Sequence, residues 1–253
     1  MITAYHRPQT LEEALQKIGR TSPRTLPLGG GTLLARPTPD PVEVVDLQSL
    51  GLDHIRKQGK ELEIGATVTL QQLLESEHCP QALVPALKLE APLNLRNAAT
   101  VAGTLVVADG RSTFATVLLA LDARLTLQPG DKEIRIGSFL PIRGDHLPGK
   151  LITGISIPLN VKLAVDYVSR TPADKPIVCA ALAQWPSGRT RLVIGGFGNS
   201  PSLAMDGTEA EGLEAAARNA CHEATDEWAS AEYRQDIAVT LAQRCLGKIR
   251  ANP

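Results

Sequence analysis

Apolar residues recur with helical spacing near the start of the chain. They run from Leu11 to Ile18 and predict a helix over residues 11–19. Thr10 and Glu13 have the spacing of a capping box, in which the two side chains satisfy the first backbone N–H groups of a helix. The first helix is therefore predicted to begin directly after Thr10.

The same kind of pattern predicts further elements along the chain. Alternating or β-branched runs bounded by Gly, Pro or Asp predict strands, and two pairs of these runs flank turns that are typical of hairpins. The predicted strands are residues 42–45, 62–64, 124–127, 133–136, 151–157, 177–184 and 191–194, with hairpin turns at 129–131 and 186–188. Further helices are predicted after the cap residues Thr69, Ser112, Thr208 and Ser230.

The order of these elements separates two regions. Helices and strands alternate up to the strand that ends at Pro158, whereas the later region has its strands first and its helices last. The first order is typical of an α/β domain and the second of a small α+β unit, so the predicted fold class is α/β (α+β). Residues 159–163 are expected to connect the two regions. In the last helix, apolar residues recur at four-residue spacing from Tyr233 to Cys245.

Composition and charge exclude several classes of function. The 253 residues can bury one large core or two modest ones, and 43% hydrophobic with 21% charged residues is ordinary for a globular protein. The formal net charge of −1 gives no reason to expect nucleic acid or an anionic membrane as a partner. No apolar run approaches the roughly 18–20 residues of a membrane helix, and no signal-peptide pattern opens the chain.

Cysteine and histidine usage predicts neither a metal site nor a catalytic residue. The cysteines are scattered, which suits buried free thiols in a reducing cytoplasm, the expected location: Cys79, Cys179, Cys221 and Cys245. The histidines lack metal-ligand spacing and are expected at the surface or in turns: His6, His54, His78, His146 and His222. Without a cysteine quartet the chain cannot hold an iron–sulfur cluster alone. If the protein moves electrons, the donor cluster lies on another polypeptide.

Two segments of small residues are the strongest candidates for a binding site. Leu28–Leu33 reads Leu-Gly-Gly-Gly-Thr-Leu, and Thr100–Leu105 reads Thr-Val-Ala-Gly-Thr-Leu. Backbone N–H groups in such segments bind phosphate where no Cβ blocks the approach. Two alternatives stay open on this evidence. For the first segment, the alternative is a tight turn without a ligand. For the second, it is a loop that packs two subdomains together.

Five further segments surround these two in a fixed order. They are Tyr5–Leu15, Gly65–Thr69, Leu118–Ala123, Gly195–Gly198 and Ser230–Arg234. Gly195–Gly198 lacks the spacing of a dinucleotide fingerprint and predicts a sharp turn at a strand end instead. With the two glycine segments, the ordered set resembles the FAD-binding medium subunit of the molybdenum hydroxylases, the xanthine dehydrogenase and carbon monoxide dehydrogenase family.

The resemblance implies a fold and a cofactor. A vanillyl-alcohol-oxidase-like (PCMH-type) FAD-binding domain would occupy residues 1–160, with subdomains at roughly 1–54 and 55–160, and a small α+β domain residues 161–253. The chain would be an oxidoreductase subunit that binds FAD non-covalently and performs no acid–base chemistry on the primary substrate. The residues that the resemblance assigns to FAD are Leu28, Gly29, Gly30, Gly31, Thr32, Leu33, Thr100, Ala102, Gly103, Thr104 and Asp109.

The resemblance also implies partner subunits. A small subunit would carry the [2Fe–2S] clusters, and a large molybdopterin subunit would oxidise the substrate. The flavin would pass the electrons to NAD, a quinone or another acceptor.

The chain departs from the family pattern inside the candidate segments. Leu28 and the pair Gly31-Thr32 are unusual in the first segment. In and after the second, Ala102 replaces a glycine, Thr104 an asparagine and Thr113 an acidic residue. Two other interpretations therefore stay open: a scaffold subunit that no longer binds FAD, and a stand-alone FAD oxidoreductase without partners.

Overall fold

The computed structural model describes residues 1–34 and 40–251, except for the side chains of residues 145 and 146. The predicted environment of His146 lies outside this description. The chain forms two compact units, each assembled from three segments. The first unit contains Met1–His78, Leu93–Val107 and Arg124–Ser156, and the second contains Cys79–Pro92, Ala108–Ala123 and Ile157–Pro253. The domain division after residue 160, with subdomains meeting near residue 54, stays a prediction.

The predicted strands and helices occur in the expected order, together with further elements that the sequence pattern did not predict. The strands are β1 (Ile2–His6), β2 (Thr25–Leu28), β3 (Val42–Asp46), β4 (Ile55–Gln58), β5 (Glu61–Gly65), β6 (Arg124–Gln128), β7 (Lys132–Arg135), β8 (Leu151–Pro158), β9 (Lys162–Val168), β10 (Val178–Gln184), β11 (Thr190–Gly195) and β12 (Ser202–Gly207). The helices are α1 (Leu11–Ile18), α2 (Leu70–Glu75), α3 (Val84–Glu90), α4 (Leu93–Arg96), α5 (Val101–Val106), α6 (Thr113–Ala120), α7 (Ile136–Phe139), α8 (Arg143–His146), α9 (Leu213–Ala220) and α10 (Ala231–Ala251).

A three-stranded parallel sheet positions the candidate site in the first unit. Its order is β1-β3-β2, and both outer strands run parallel to β3. The apolar side of α1 covers one face of this sheet, where Ala14 and Ile18 pack with Val45. Because the strands are parallel, their carboxyl ends lie at one edge, which is where ligands bind in such sheets.

The first unit contains a second sheet, of five strands in the order β4-β5-β8-β6-β7. The hairpin predicted around residues 129–131 is confirmed, because β6 and β7 pair antiparallel across that turn. Gly130 and Asp131 have φ angles of 94° and 48° there. Glycine adopts such angles without strain, and aspartate tolerates them better than most residues.

The second unit is built around a four-stranded antiparallel sheet. Its order is β12-β11-β10-β9, and the predicted hairpin of β10 and β11 is confirmed. One face packs under α9 and α10, with Leu182, Ile194 and Leu241 completely buried. Arg191, on β11, reaches the carbonyl of Leu119 in α6. Every residue of α6 is buried, so this helix lies within the core of its unit.

The two capping boxes predicted from the sequence are present in the structure, one complete and one in part. Thr69 and Gln72 form the complete capping box that was predicted for α2. Thr10 accepts a hydrogen bond from the Glu13 N–H at 3.2 Å, but the Glu13 carboxylate accepts from Gln9 N–H rather than from Thr10. The first helix therefore has half of the predicted box.

One prediction about the C-terminal helices is wrong. Helix α9 begins at Leu213, after Gly212 in the left-handed conformation, and not after a cap at Thr208. In α10, the first residue of the apolar series, Tyr233, is 43% exposed, whereas the neighbouring Arg234 is completely buried. Leu241 and Cys245 do lie on the buried side. The apolar residues at four-residue spacing therefore do not all lie on the buried side of the helix.

The side chains singled out for redox or metal chemistry are structurally ordinary. All four cysteines are free and buried, as predicted, and burial raises the pKa of Cys79 and Cys221 to about 11. Within the described residues, no group of three or more His, Cys, Asp or Glu side chains is arranged to hold a metal ion. The same part of the chain contains no helix that is long and apolar enough to cross a membrane.

An ion-pair cluster in the second unit gives a testable pH dependence. Asp206 accepts hydrogen bonds from Arg189 at 2.7 and 2.8 Å and from Arg191 at 2.5 Å. The hydrogen bonds from Arg189, and the charge of nearly buried Arg191, hold the pKa of Asp206 below its usual value. This stabilisation is present above the unfolded-state pKa of about 3.9 and is lost as the pH falls through the lower folded-state pKa.

We therefore expect Asp206→Asn to lower the free energy of unfolding by about 1–3 kcal/mol at pH 7, since Arg191 loses a charged partner. Below about pH 4 the difference from the unmodified chain should shrink, because the carboxylate of Asp206 itself becomes protonated. Urea unfolding at pH 7 and pH 3 measures both values. An equal difference at the two pH values would contradict this role of the carboxylate.

Candidate functional site

A cleft of about 480 Å³ opens at the carboxyl edge of the β1-β3-β2 sheet. This volume lies in the range of small-molecule sites. Each of the three parallel strands contributes residues at or just after its end, and the turn before α2 and the segment before α5 complete the wall. The described residues that line the cleft are Tyr5, Leu28, Gly29, Gly30, Gly31, Asp46, Gln48, Thr67, Thr69, Asn97, Ala98 and Thr100.

The first glycine segment presents unused hydrogen-bond donors to this cleft. Within the described part of the chain, the N–H groups of Gly29, Gly30 and Gly31 donate no hydrogen bond. Gly31 has a φ of +69°, which favours glycine and turns the chain away from the end of β2. Consecutive free N–H groups in a concave turn carry partial positive charge and favour an anion.

The second segment packs against the first, backbone to backbone. A Cβ on Gly30 would lie 1.5 Å from the carbonyl oxygen of Ala98, and a Cβ on Gly29 would lie 2.8 Å from Oγ1 of Thr100. Neither distance is compatible with a side chain. Glycine is therefore needed at both positions to let the two segments meet, whatever the cleft binds.

The N–H groups of the second segment differ from the expectation that they bind an anion. Val101 N–H donates to Val68 at 2.8 Å, and Ala102 N–H donates to Ala66 at 3.4 Å. Gly103 N–H donates to Oγ1 of Thr100, which is the N-cap of α5. These three donors are used inside the protein. The segment supports the glycine turn rather than adding a second row of free donors.

The two departures in the second segment fall within this helix and not on the cleft. Ala102 and Thr104 are each 8% exposed and do not line the cleft. The Thr104 hydroxyl donates to the Thr100 carbonyl at 2.8 Å, as in many helices. Gly103 is likewise absent from the wall. Of the second segment, the structure brings only Thr100 to the cleft.

Three other predicted site residues lie outside the cleft wall. Thr32 and Leu33 follow the glycine turn, and Leu33 is 47% exposed. Asp109 belongs to the second unit, where it accepts a hydrogen bond from Arg111 N–H and pairs with Lys175 at 3.1 Å. These contacts are those of a turn residue. A contact of Thr32, Leu33 or Asp109 with a cofactor stays a prediction.

Thr113, at the position of the missing acid, is buried in the second unit. Its hydroxyl donates to the Ala86 carbonyl at 2.8 Å and to the Glu90 carboxylate at 3.2 Å. Glu90 also accepts from Ser112 and from the N–H of Phe114 at the start of α6. Desolvation raises the pKa of Glu90 in spite of these bonds. A carboxylate is thus present beside Thr113, although it comes from α3.

Sequence reasoning missed most of the polar residues that line the cleft. Asp46 ends β3 and Gln48 follows it, Tyr5 lies near the end of β1, and Thr67 and Asn97 precede the two helices beside the cleft. The signal that could have found the first three is the parallel strand order, because it brings all three strand ends to one edge. No local motif marks Asp46 or Gln48.

The acidic residue in the cleft, Asp46, has hydrogen-bond partners and a nearby arginine. Asp46 accepts a hydrogen bond from Tyr5 and one from Gln48 N–H at 3.0 Å, and Arg7 lies 3.7 Å away. Its side chain is 4% exposed. The hydrogen bond with Asp46 raises the pKa of Tyr5, so the phenol stays protonated.

The residues present fit the pyrophosphate of FAD. The glycine turn offers three free N–H groups, and glycine alone fits at the two positions where the segments meet. Thr67, Asn97 and Gln48 add hydroxyl and amide groups that can bond to sugar hydroxyls or phosphate oxygens.

Comparison with known proteins agrees with this geometry. Residues 1–160 match the family described as the FAD binding domain in molybdopterin dehydrogenase. The chain is 30% identical to the uncharacterized protein YgfM of Escherichia coli (strain K12) over 95% of this chain and 94% of that protein. It is also 30% identical to the 6-hydroxypseudooxynicotine dehydrogenase complex subunit alpha of Paenarthrobacter nicotinovorans, over 84% of this chain and 82% of that subunit.

A solved structure shares the fold. The chain superposes on a chain of reconstituted CO dehydrogenase from Oligotropha carboxidovorans with a TM-score of 0.81, at 23% identity, over 99% of this chain and 98% of that one. The predicted fold class, a PCMH-type FAD-binding domain followed by a small C-terminal α+β domain, is confirmed. The chain belongs to the family of FAD-binding medium subunits of the molybdenum hydroxylases, which are oxidoreductases.

Proposed function

We propose that this chain is the electron-transfer subunit of a molybdopterin-containing hydroxylase, and that FAD is held in the cleft of the first unit. The observation that carries this proposal is the row of free N–H groups at Gly29, Gly30 and Gly31, placed at the carboxyl edge of a parallel sheet. In this proposal the three glycines hold the pyrophosphate, as helix and strand termini do in other dinucleotide sites.

The protein's own residues bind and orient the cofactor. Thr67 and Asn97 line the cleft together with the glycine turn and supply neutral hydrogen-bonding groups. Asp46 stays compensated by Tyr5 and Arg7 and fixes the edge of the sheet. When bound, FAD supplies the chemistry that accepts electrons singly and passes them on in pairs. No residue of the cleft is assigned acid–base chemistry on the primary substrate.

Partner subunits complete the proposed reaction. The related protein from Paenarthrobacter nicotinovorans is named as a subunit of a dehydrogenase complex. By analogy, a small subunit supplies electrons from [2Fe–2S] clusters, a large molybdopterin subunit oxidises the substrate, and NAD or a quinone accepts the electrons. The buried free cysteines suit a reducing compartment, so we propose a cytoplasmic complex.

A scaffold role without FAD is not favoured. That interpretation depended on Ala102, Thr104 and Thr113, which replace typical family residues. None of the three lines the cleft, and the hydroxyls of both threonines are bonded to the protein. Their substitution leaves the free donors of the glycine turn unchanged.

Co-expression with the candidate partner subunits tests the proposed function. We expect a complex that carries flavin, iron–sulfur and molybdopterin signals, with an interface above roughly 2,000 Å² as obligate contacts usually bury. Stepwise anaerobic addition of dithionite should reduce clusters and flavin together, and an added acceptor should reoxidise both. A flavin-loaded monomer that turns over a small substrate without partners would overturn the proposal.

The bound FAD is expected to be non-covalent. A covalent tether needs a nucleophilic His, Cys or Tyr beside the flavin, and the described cleft wall contains neither His nor Cys. Tyr5 is engaged by Asp46 with a raised pKa, which disfavours the phenolate. Acid or heat denaturation should release all yellow colour into the supernatant. Colour that stays with the precipitated protein would contradict this.

A further inference from the structure

Tyr5 is an exposed aromatic residue at the mouth of the cleft. It is the one aromatic side chain among the described residues that line the cleft, and it is 57% exposed. The whole chain contains only three Tyr, three Phe and two Trp residues.

The register of the sheet places Tyr5 on the cleft side. Tyr5 pairs with Val44, and Leu26 pairs with the same residue from the other neighbouring strand. Side chains alternate between faces along a strand, so Asp46 and Leu28, two residues further on, share this face. Both of them line the cleft with Tyr5. Val45, on the opposite face, packs under α1.

The hydrogen bond to Asp46 gives the hydroxyl of Tyr5 a partner, but it does not explain why the apolar ring is exposed. Asp46 is nearly buried and gains a partner from the hydroxyl. That bond also fixes the position of the ring, which would otherwise move freely at this exposure. A fixed, exposed ring beside free phosphate-binding N–H groups suits a ligand that combines phosphate with a flat base, because bases stack on aromatic side chains.

We propose that Tyr5 stacks on a base of the dinucleotide that binds in this cleft. This inference rests on the proposed function. The stacked partner is a planar heteroaromatic ring, and both the adenine and the isoalloxazine of FAD have this chemistry.

The test uses the full chain freed of flavin, with three variants and three ligands. Tyr5→Leu removes the ring, Tyr5→Phe keeps the ring without the hydroxyl, and Tyr233→Leu changes a similarly exposed tyrosine on α10. Isothermal titration with FAD, ADP and FMN gives the dissociation constants. Thermal unfolding without ligand shows whether each variant is folded.

We expect Tyr5→Leu to bind FAD about 5- to 150-fold more weakly, the usual range for loss of one base stack. Tyr5→Phe should stay within about threefold of the unmodified chain, and Tyr233→Leu should not differ from it. A loss confined to ADP identifies adenine as the stacked base, and a loss confined to FMN identifies the isoalloxazine.

Two results would overturn the inference while leaving the proposed function intact. One is equal FAD affinity in Tyr5→Leu and the unmodified chain. The other is an equal loss in Tyr5→Phe and Tyr5→Leu, which would assign the effect to the hydroxyl and Asp46. If the unmodified chain binds none of the three ligands, the proposed function fails together with this inference.

Discussion

Gly30→Val should leave the purified protein with less than about a tenth of its flavin. The Cβ of any side chain at this position would lie 1.5 Å from the Ala98 carbonyl oxygen, so the two segments that meet there must separate. Their separation displaces the N–H groups of the glycine turn from the cleft. Because backbone and not a flexible side chain is in the way, we also expect the free energy of unfolding to fall by about 3 kcal/mol or more.

The control for this substitution is Gly247→Val. Gly247 lies in α10, and a Cβ there meets no atom within 4 Å. Flavin content should be unchanged, since valine and glycine differ little in helix propensity. Flavin content by absorbance and urea unfolding measure both effects. A folded Gly30→Val protein with full flavin would show that the first segment is only a turn.

Arg234→Met should cause the largest loss of stability in the second unit. The guanidinium is completely buried and donates to Asp226 at 2.8 Å and to the carbonyls of Ile177, Ala224 and Ala229. Methionine fills similar space but leaves these acceptors unpaired. Removing one partner of a buried ion pair costs about 3–5 kcal/mol, which corresponds to a melting temperature lower by roughly 6–20 °C.

An exposed arginine on the same unit provides the comparison. Arg218 pairs with Asp236 at 2.9 Å, and both side chains are about half exposed or more. Arg218→Met should therefore change stability by less than about 1 kcal/mol. Differential scanning calorimetry of the two variants measures the contrast. Equal melting temperatures for Arg234→Met and Arg218→Met would contradict the structural role of the buried arginine.

The parts of the fold that could be predicted are those that depend on residues close together in the sequence. The capping box of Thr69 and Gln72 and the two hairpin turns are specified within a few positions, and the structure reproduces them. The burial of Arg234 in α10 could not be predicted, because a charged residue is usually exposed. The partners of Arg234 lie 5 to 57 residues away, so no helical pattern reveals them.

The site was only partly predictable for the same reason. The first glycine segment was recognised from composition, and the structure places Gly29, Gly30 and Gly31 at the cleft. The N–H groups of the second segment are used by Val68 and Ala66, more than thirty residues earlier, which the segment itself does not indicate. Asp46 and Tyr5 reach the cleft through the parallel order of strands distant in sequence.

The flavin content of the purified protein tests the central claim most directly. If the cleft holds FAD, the protein isolated with its partners should show absorbance bands near about 370 and 450 nm, as oxidised flavins do. Acid should release FAD, close to one molecule for each chain, and Gly30→Val should abolish the signal while Gly247→Val retains it. A folded, colourless chain that takes up no added FAD would contradict the account.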